Sequence, residues 1–389
     1  MENASLASAF MAQDRLFERG ADGKPAMHRE FAYHIENQTF AAFLESYALS
    51  KGVRIITDTV RNVRQDENGI AGLDLNSGAS ESADLYVDCS GFRSLLLGKT
   101  FEEPFISFDS TLFCDRAVAG GWDRTTEVIH PYTTAETMDS GWAWQIEHPY
   151  HVNRGYVYSS AFISDEDAER EFRLKNPKVN STRVVKFISG RYQRSWVKNV
   201  VAIGNASGFV EPLEATALAI HATRAALLTE LLQECNLEPQ AVCTRMFNDL
   251  TARVWDSTRR FLATHYRFNT RLDTPFWRHC REHTDMAGSE EVVEWYRRMG
   301  PTSYGAPWTV DRFDIFGMDG YLTTLLGQSV PHCCAFTPPA AEISRWNSLR
   351  QQHAVRAQRA MTVAESLDWF LKPDEPVART PQMSVVVLR

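Results

Sequence analysis

The residues best placed to do chemistry lie in one stretch, Val200 to Leu232, VVAIGNASGFVEPLEATALAIHATRAALLTELL. Val200 to Gly204 reads as a short buried strand, a continuous apolar run that ends at a glycine. Gly204 and Gly208 flank Asn205, Ala206 and Ser207, small residues that let a backbone approach a ligand closely. Pro212 suits a first helical turn, and neither glycine nor proline interrupts Leu213 to Leu232. A strand, a glycine turn and a helix N-terminus together make an anion and cofactor site, because unpaired N–H groups and the helix dipole point at the ligand. Glu214 falls in the first turn of that expected helix. A carboxylate there can accept a proton from a cationic intermediate, or it can do no more than complement the dipole.

A second chemical pattern is His279-Cys280-Arg281-Glu282-His283. It spells H-x-x-E-H, two histidines at i and i+4 on one helical face, as in some zinc proteases. No downstream acidic ligand is identifiable, and we expect no metal here.

The elements that must position these groups follow from periodicity. The first thirty residues are polar and weakly patterned. Phe40, Phe43, Leu44 and Tyr47 share one face of a helix that Gly52 is placed to end. Strands are expected over Val53 to Thr57, Thr59 to Arg64 and Ile70 to Leu75, with turns at Asn68-Gly69 and Ser77-Gly78. A buried strand from Asp84 to Asp88 runs into Cys89-Ser90-Gly91. Thr111 to Arg116 reads as a strand. Gly141 to Ile146 places Trp142, Trp144 and Ile146 on one face, and a turn over His148 to Gly155 leads to a strand with Tyr156 and Tyr158 on one face. Such aromatic stripes are usually core. Beyond Leu232 the pattern is helical, notably from Phe247 to Phe268, and Arg345 to Ser366 reads as one charged, mostly solvated helix. The tail after Leu371 reads as extended.

Several segments resemble, in order, the flavin-dependent halogenases of the tryptophan halogenase type: AYHIENQTFAAFL, ADLYVDCSGFRS, WAWQIE, GNASGFVEPLEATAL, HYRFNTRLDTPFWR and FGMDGY. The resemblance implies an α/β fold: an incomplete FAD-binding domain of the glutathione-reductase type with a mixed β-sheet, and a C-terminal helical substrate lobe. The expected division is 1–232 for the FAD and halide part, 233–371 for the helical lobe and 372–389 for the tail. Carried over residue by residue, Glu214 is the catalytic carboxylate, and the halide sits on the backbone amides of Thr216 and Ala217. FAD contacts fall at Gly91, Arg93, Gly204, Asn205, Gly208 and Phe209, and Tyr321 touches the substrate. A surface arginine is an equal reading of Arg93, and a packed tyrosine with its hydroxyl at the surface is a reading of Tyr321. Ala215 stands where many members have serine, Ala217 where many have glycine, and Glu147 where the family's WxWxIP has proline. Alanine suits position 217 only if its dihedrals accept a Cβ.

The activity so implied is halogenation of an electron-rich aromatic, an indole such as tryptophan, using reduced FAD, oxygen and chloride or bromide, with a separate flavin reductase. A flavin-dependent monooxygenase and a non-catalytic remnant remain as alternatives. The chain contains no GxGxxG motif, the usual cradle for the FAD pyrophosphate. By resemblance it begins about a quarter of the way into a typical member, after the unit that carries the family's catalytic lysine. Weak FAD binding and no turnover by the chain alone are therefore expected. A net charge of −8 argues against a nucleic-acid partner. No apolar run approaches the roughly 20 residues needed to span a bilayer, and the N-terminus lacks a secretory pattern. Seven cysteines without framework spacing fit a reducing cytoplasm, with Cys333-Cys334 read as structural.

Overall fold

Alternating apolar residues between Arg116 and Lys186 build the largest sheet. In the computed structural model, which describes residues 3–27, 32–370 and 386–388, Gly141–Glu147 (β11) pairs antiparallel with His151–Tyr158 (β12), with Trp142 opposite Val157 and Trp144 opposite Gly155. Arg116–Asp123 (β9), Thr134–Met138 (β10) and Thr182–Lys186 (β13) complete the order β10-β11-β12-β9-β13. The period of two sends Trp142 and Val157 to one face, where they join Phe108, Leu112, Cys114, Trp255, Tyr266 and Trp277 in the main core. Val118, Ala143, Tyr156 and Tyr158 line the other face, beneath Ala168 and Phe172 of the helix Asp165–Lys175 (α3). Both faces are covered, so both are apolar.

A second layer carries the glycine turns. Tyr86–Asp88 (β7) and Val200–Ala202 (β16) run parallel, Val200 beside Tyr86 and Ala202 beside Asp88, and Trp196–Val197 (β15) pairs with the far side of β16. A meander of Val60–Asp66 (β4), Gly69–Leu75 (β5) and Ser80–Glu81 (β6) packs on them through Ile70, Leu73, Leu97 and Val200. Phe105–Ser107 (β8), Gly190–Tyr192 (β14) and Gly208–Phe209 (β17) make a short antiparallel sheet, and Arg54–Ile56 (β3) pairs parallel with Val386–Leu388 (β19).

Ala217–Glu234 (α4) leads into Ala241–Phe268 (α5), whose buried stripe runs Phe247, Thr251, Val254, Thr258, Phe261 and Leu262 at helical spacing. Pro275–His283 (α6), Glu290–Met299 (α7), Ala306–Thr309 (α8) and Gly317–Gly327 (α9) complete the lobe. Phe261, Val292, Tyr296, Met318 and Tyr321 form a second core there. Leu6–Ala12 (α1) packs Ala9 and Phe10 on Ala357 and Ala360, at the end of Ala340–Arg359 (α10). Arg15–Arg19 (β1) lies between Pro25–Ala26 (β2) and Met361–Thr362 (β18), with Val363–Phe370 (α11) following. These contacts join the two ends of the chain across the division expected at residue 232.

Several local expectations are corrected. In the weakly patterned N-terminal stretch a capping box at Ser5 and Ser8 starts α1. Thr111 to Asp115 is not a strand: Thr111 and Leu112 donate to the Phe108 carbonyl in a turn, and pairing begins at Arg116. Burial of Leu112 and Cys114 mimics strand alternation there. The connection after Glu147 is shorter than expected, because the His148 amide closes on the His151 carbonyl at 2.9 Å. The helix read over Arg345 to Ser366 breaks at Ala360, which turns extended and lets Met361 enter the core. The helix Asn37–Ser50 (α2) forms, but Phe43, Leu44 and Tyr47 on its apolar face are exposed. Cys235 and Cys243 are joined as a disulfide across the α4–α5 connection, which a reducing compartment did not lead us to expect. The tail, apart from the backbone of β19, lies outside the described residues.

Candidate active site

The parallel pair β7 and β16 decides where the glycine turns meet. Past Asp88 the chain makes a 3-10 turn over Gly91–Arg93, and past Ala202 another over Gly204–Ala206. The two turns lie side by side at the carboxyl ends of parallel strands, the place where open α/β sheets bind ligands. Gly91 (φ 67°) and Gly204 (φ 74°) are left-handed, and no protein atom lies within 4 Å of where a Cβ on Gly91 would stand. Ser94 Oγ donates to the Ala206 carbonyl at 2.9 Å and ties the turns together. Buried Asp88 accepts the amides of Leu96 and Leu97, at 2.8 and 3.1 Å, and the Ser90 hydroxyl at 2.6 Å, which locks the descending chain.

The remaining expected cofactor residues divide. Asn205 is half-buried within the turn, and Arg93 is exposed at the end of its own. Phe209 bridges the two turns to the core, its ring 4.9 Å from Phe92 and 5.1 Å from Phe187. Gly208 serves packing: a Cβ there would sit 2.9 Å from the Gly190 carbonyl and 3.0 Å from Trp255. His221 on α4 was not singled out in the sequence. Its ring lies against Gly204, and its buried Nε2 has no hydrogen-bond partner. Burial lowers its pKa.

Next the chain presents two glutamates. The expected helix does not begin at Leu213. Pro212–Glu214 is a 3-10 turn, Ala215 is left-handed (φ 52°), and the α-helix starts at Ala217 with Thr216 as its N-cap. Glu214 therefore precedes the helix, which weakens the dipole reading. Ala217 is helical and needs no glycine, whereas Ala215 carries the cost of a Cβ in the left-handed region, about 1–2 kcal/mol. The amides of Thr216 and Ala217 have no protein acceptor, as befits a first helical turn. Glu214 Oε1 lies 2.7 Å from His265 Nε2, which α5 delivers from the opposite side. His265 Nδ1 lies 3.3 Å from the Phe261 carbonyl, which fixes the ring with its Nε2 edge towards Glu214.

Glu211, three residues earlier, is 1 % exposed and sealed among Cys114, Trp142 and Tyr266. Neither carboxylate oxygen has a hydrogen-bond partner. Burial pushes its pKa up to about 7, eased by those three neighbours. Its apolar surroundings in GFVEPL were the one signal in the sequence that could have marked it.

Tyr321 is fully buried, its ring 5.0 Å from Phe261, which is itself 5.0 Å from the His265 ring. Its hydroxyl donates to Asp314 at 3.2 Å, so it is not the surface hydroxyl that the packed reading supposed. Glu147, in place of proline, is buried and ion-paired with Arg124, and accepts from Gln145 Nε2 at 2.7 Å. The His279 and His283 rings lie tilted with centroids 4.5 Å apart, and His279 packs on Phe113 and Phe162. Among the described residues no third metal-ligating side chain joins them.

Comparison with known proteins places this geometry. A family model described as tryptophan halogenase matches residues 1–337. Tryptophan 7-halogenase RebH of Lentzea aerocolonigenes is 40% identical over 276 residues, covering 69% of this chain and 51% of that protein. Tryptophan 6-halogenase ThaL of Streptomyces albogriseolus is 36% identical over 274 residues, 69% of this chain and 51% of its own length. The chain thus spans about half the length of these relatives. The crystal structure of MibH, a tryptophan 5-halogenase, superposes with a TM-score of 0.87 at 37% identity, covering 95% of this chain and 72% of that one. BrvH, a flavin-dependent halogenase from Brevundimonas sp. BAL3, gives 0.84 at 29% identity, covering 94% and 75%.

Proposed function

The chain belongs to the tryptophan halogenase family, and on that footing we propose that it forms the halide and substrate side of a flavin-dependent halogenase acting on an electron-rich aromatic of the indole class. The observation that carries this reading is the Glu214–His265 contact at 2.7 Å, set immediately before the free amides of Thr216 and Ala217.

The residues fit the ring end of FAD. Gly91 offers backbone with open space above it, Gly204 faces the His221 ring whose Nε2 has no partner among the described residues, and Arg93, Asn205 and Phe209 border the turns. When bound and reduced, FAD supplies the electrons with which oxygen and chloride or bromide yield an electrophilic halogen. The amides of Thr216 and Ala217 hold the halide at the positive end of α4. Halogenation of an aromatic carbon must release the proton from that carbon. Glu214, with its side chain about one-third exposed, is open to accept it. His265 orients the carboxylate, because its other nitrogen is tied to the Phe261 carbonyl. Tyr321 acts one ring further back, holding Phe261 in place. Gly208 contributes by letting β17 approach Trp255 and β14.

Glu147, in place of the family's proline, is held by its ion pair with Arg124, and a flavin-dependent monooxygenase is the second reading, separated by the halide dependence of the product. The halogenase reading includes a separate flavin reductase, a small aromatic substrate and a cytoplasmic location. Among the described residues no helix is long and apolar enough to cross a membrane. The sequence has no GxGxxG motif, so we assign the pyrophosphate contacts to none of its residues and expect weak FAD binding by this chain alone.

The test is mass spectrometry on an indole panel with reduced FAD, oxygen and bromide or chloride. It uses the chain alone and the chain fused to the N-terminal FAD segment of a relative. Halide-dependent halogenated product from the fusion, with none from the chain alone, is the expected result. Hydroxylated product would reassign the chain to monooxygenation.

A further inference from the structure

The proposed halogenation leaves the H-x-x-E-H segment of α6 without a task. His279 and His283 stand one helical turn apart, so their rings meet on the same side of the helix, with centroids 4.5 Å apart and planes tilted by 50°. Phe113 at 4.7 Å and Phe162 at 5.3 Å flank the His279 ring and fix its orientation. The His279 ring nitrogens still keep contact with solvent, and His283 is exposed. Among the described residues neither imidazole makes a hydrogen bond or an ion pair. The pair differs in this from His34, His130, His151, His265 and His353, each of which sets a ring nitrogen against a carbonyl or carboxylate.

The charges nearby do not oppose a cation. Asp273 pairs with both arginines of α6, Arg278 at 3.0 Å and Arg281 at 2.6 Å. Glu282 adds an exposed carboxylate next to His283 in the chain. Burial first, and then the neighbouring His283, lower the His279 pKa, so this imidazole is neutral at pH 7 and has a lone pair to give.

Two imidazole nitrogens bound to one ion at about 2.0–2.1 Å, at right angles to each other, leave their ring centroids roughly 4.6 Å apart. The observed 4.5 Å matches, so both rings can share an ion with little movement. Among the described residues no third protein ligand joins them, which leaves the other coordination positions to water and rules out a closed structural zinc site. Imidazole suits copper, nickel and zinc, and copper(II) binds such ligands most tightly of the three. We propose that His279 and His283 form a two-histidine chelating site for a divalent late transition metal ion, copper(II) ahead of zinc(II), completed by water. This site goes beyond the proposed halogenation and does not depend on it.

The test is calorimetric titration of the full chain with copper sulfate and zinc chloride, against magnesium chloride, with electron paramagnetic resonance of the copper(II) form. The chain has eleven histidines, so variants must locate the ion. The expected result is one tight ion per chain, with nitrogen hyperfine splitting from two imidazoles, no response to magnesium, and at least tenfold weaker binding in His283→Ala and in His279→Phe. His283→Ala alters an exposed side chain, and His279→Phe keeps an aromatic ring against Phe113 and Phe162. Circular dichroism checks that both variants are folded, and if one is not, the other decides alone. No saturable binding of either ion, an equal response to magnesium, or tight binding that survives in a folded variant would overturn the assignment.

Discussion

Glu211 and Glu214 stand at the two ends of one short turn and meet opposite environments. Around Glu211, Trp142 of β11, Cys114 of the turn before β9 and Tyr266 of α5 close a wall, and among the described residues the carboxylate oxygens have no partner in hydrogen-bonding geometry. Around Glu214 the chain is open, and His265 meets the carboxylate from across the cleft. The 3-10 turn Pro212–Glu214 separates the two, and left-handed Ala215 follows it. The difference teaches that the chemistry of a carboxyl here is set by what packs on it, since both belong to one motif.

The largest expected effect tests the sealed side. Trp142→Ala should cost about 3–5 kcal/mol of unfolding free energy in denaturant titration, because the indole fills the main core. A loss below about 1 kcal/mol would mean that the wall around Glu211 is not tightly packed.

Next is the carboxyl itself. Its pKa is up to about 7 in the folded chain against 4.5 for an ordinary glutamate, so the folded state holds the extra proton between those values. Stability from this group is full below pH 4.5, falls by about 3 kcal/mol as pH rises to 7 and levels off above that. Glu211→Gln should remove this fall and be the more stable protein at pH 8, measured by urea unfolding at pH 5 and 8. An unchanged pH dependence would show that Glu211 is charged in the folded chain.

On the open side the effect should move from stability to turnover. Glu214→Gln in the fused, active preparation should lower turnover by roughly 10²-fold while costing under about 1 kcal/mol of stability. Near-unchanged turnover would remove Glu214 from the chemistry and erase the contrast with Glu211.

The smallest effect is expected at His265. His265→Gln keeps a polar group near Glu214 but loses the ring that meets it at 2.7 Å. Turnover should fall about tenfold with little loss of Tm. Unchanged turnover with a lower Tm would make His265 a packing residue only.

Much of the site was legible locally. The apolar run to Ala202, the glycines after it and Pro212 marked strand, turn and helix onset, because each is a short-range consequence of sterics and missing N–H groups. The helix start was misplaced by a few residues, since nothing local to Ala215 announces a left-handed alanine. Trp142 and Trp144 were correctly placed on one face of a strand. Thr111 to Asp115 imitated that pattern without a ladder, because alternation records burial and not pairing. The apolar face of α2 was legible as well, but periodicity is silent on what covers a face.

By itself, then, the sequence determined the family through long contiguous motifs, the mixed α/β class, and the position of Glu214 beside free helix-start amides. Tertiary structure alone decided that β7 and β16 run parallel and so lay the Gly91 and Gly204 turns side by side. It also decided that His265 reaches Glu214, that Glu211 is sealed and that Tyr321 is buried. The physical reason is range: dihedral preferences and periodicity act within a few residues, whereas desolvation and partner choice depend on elements that meet only when the chain packs.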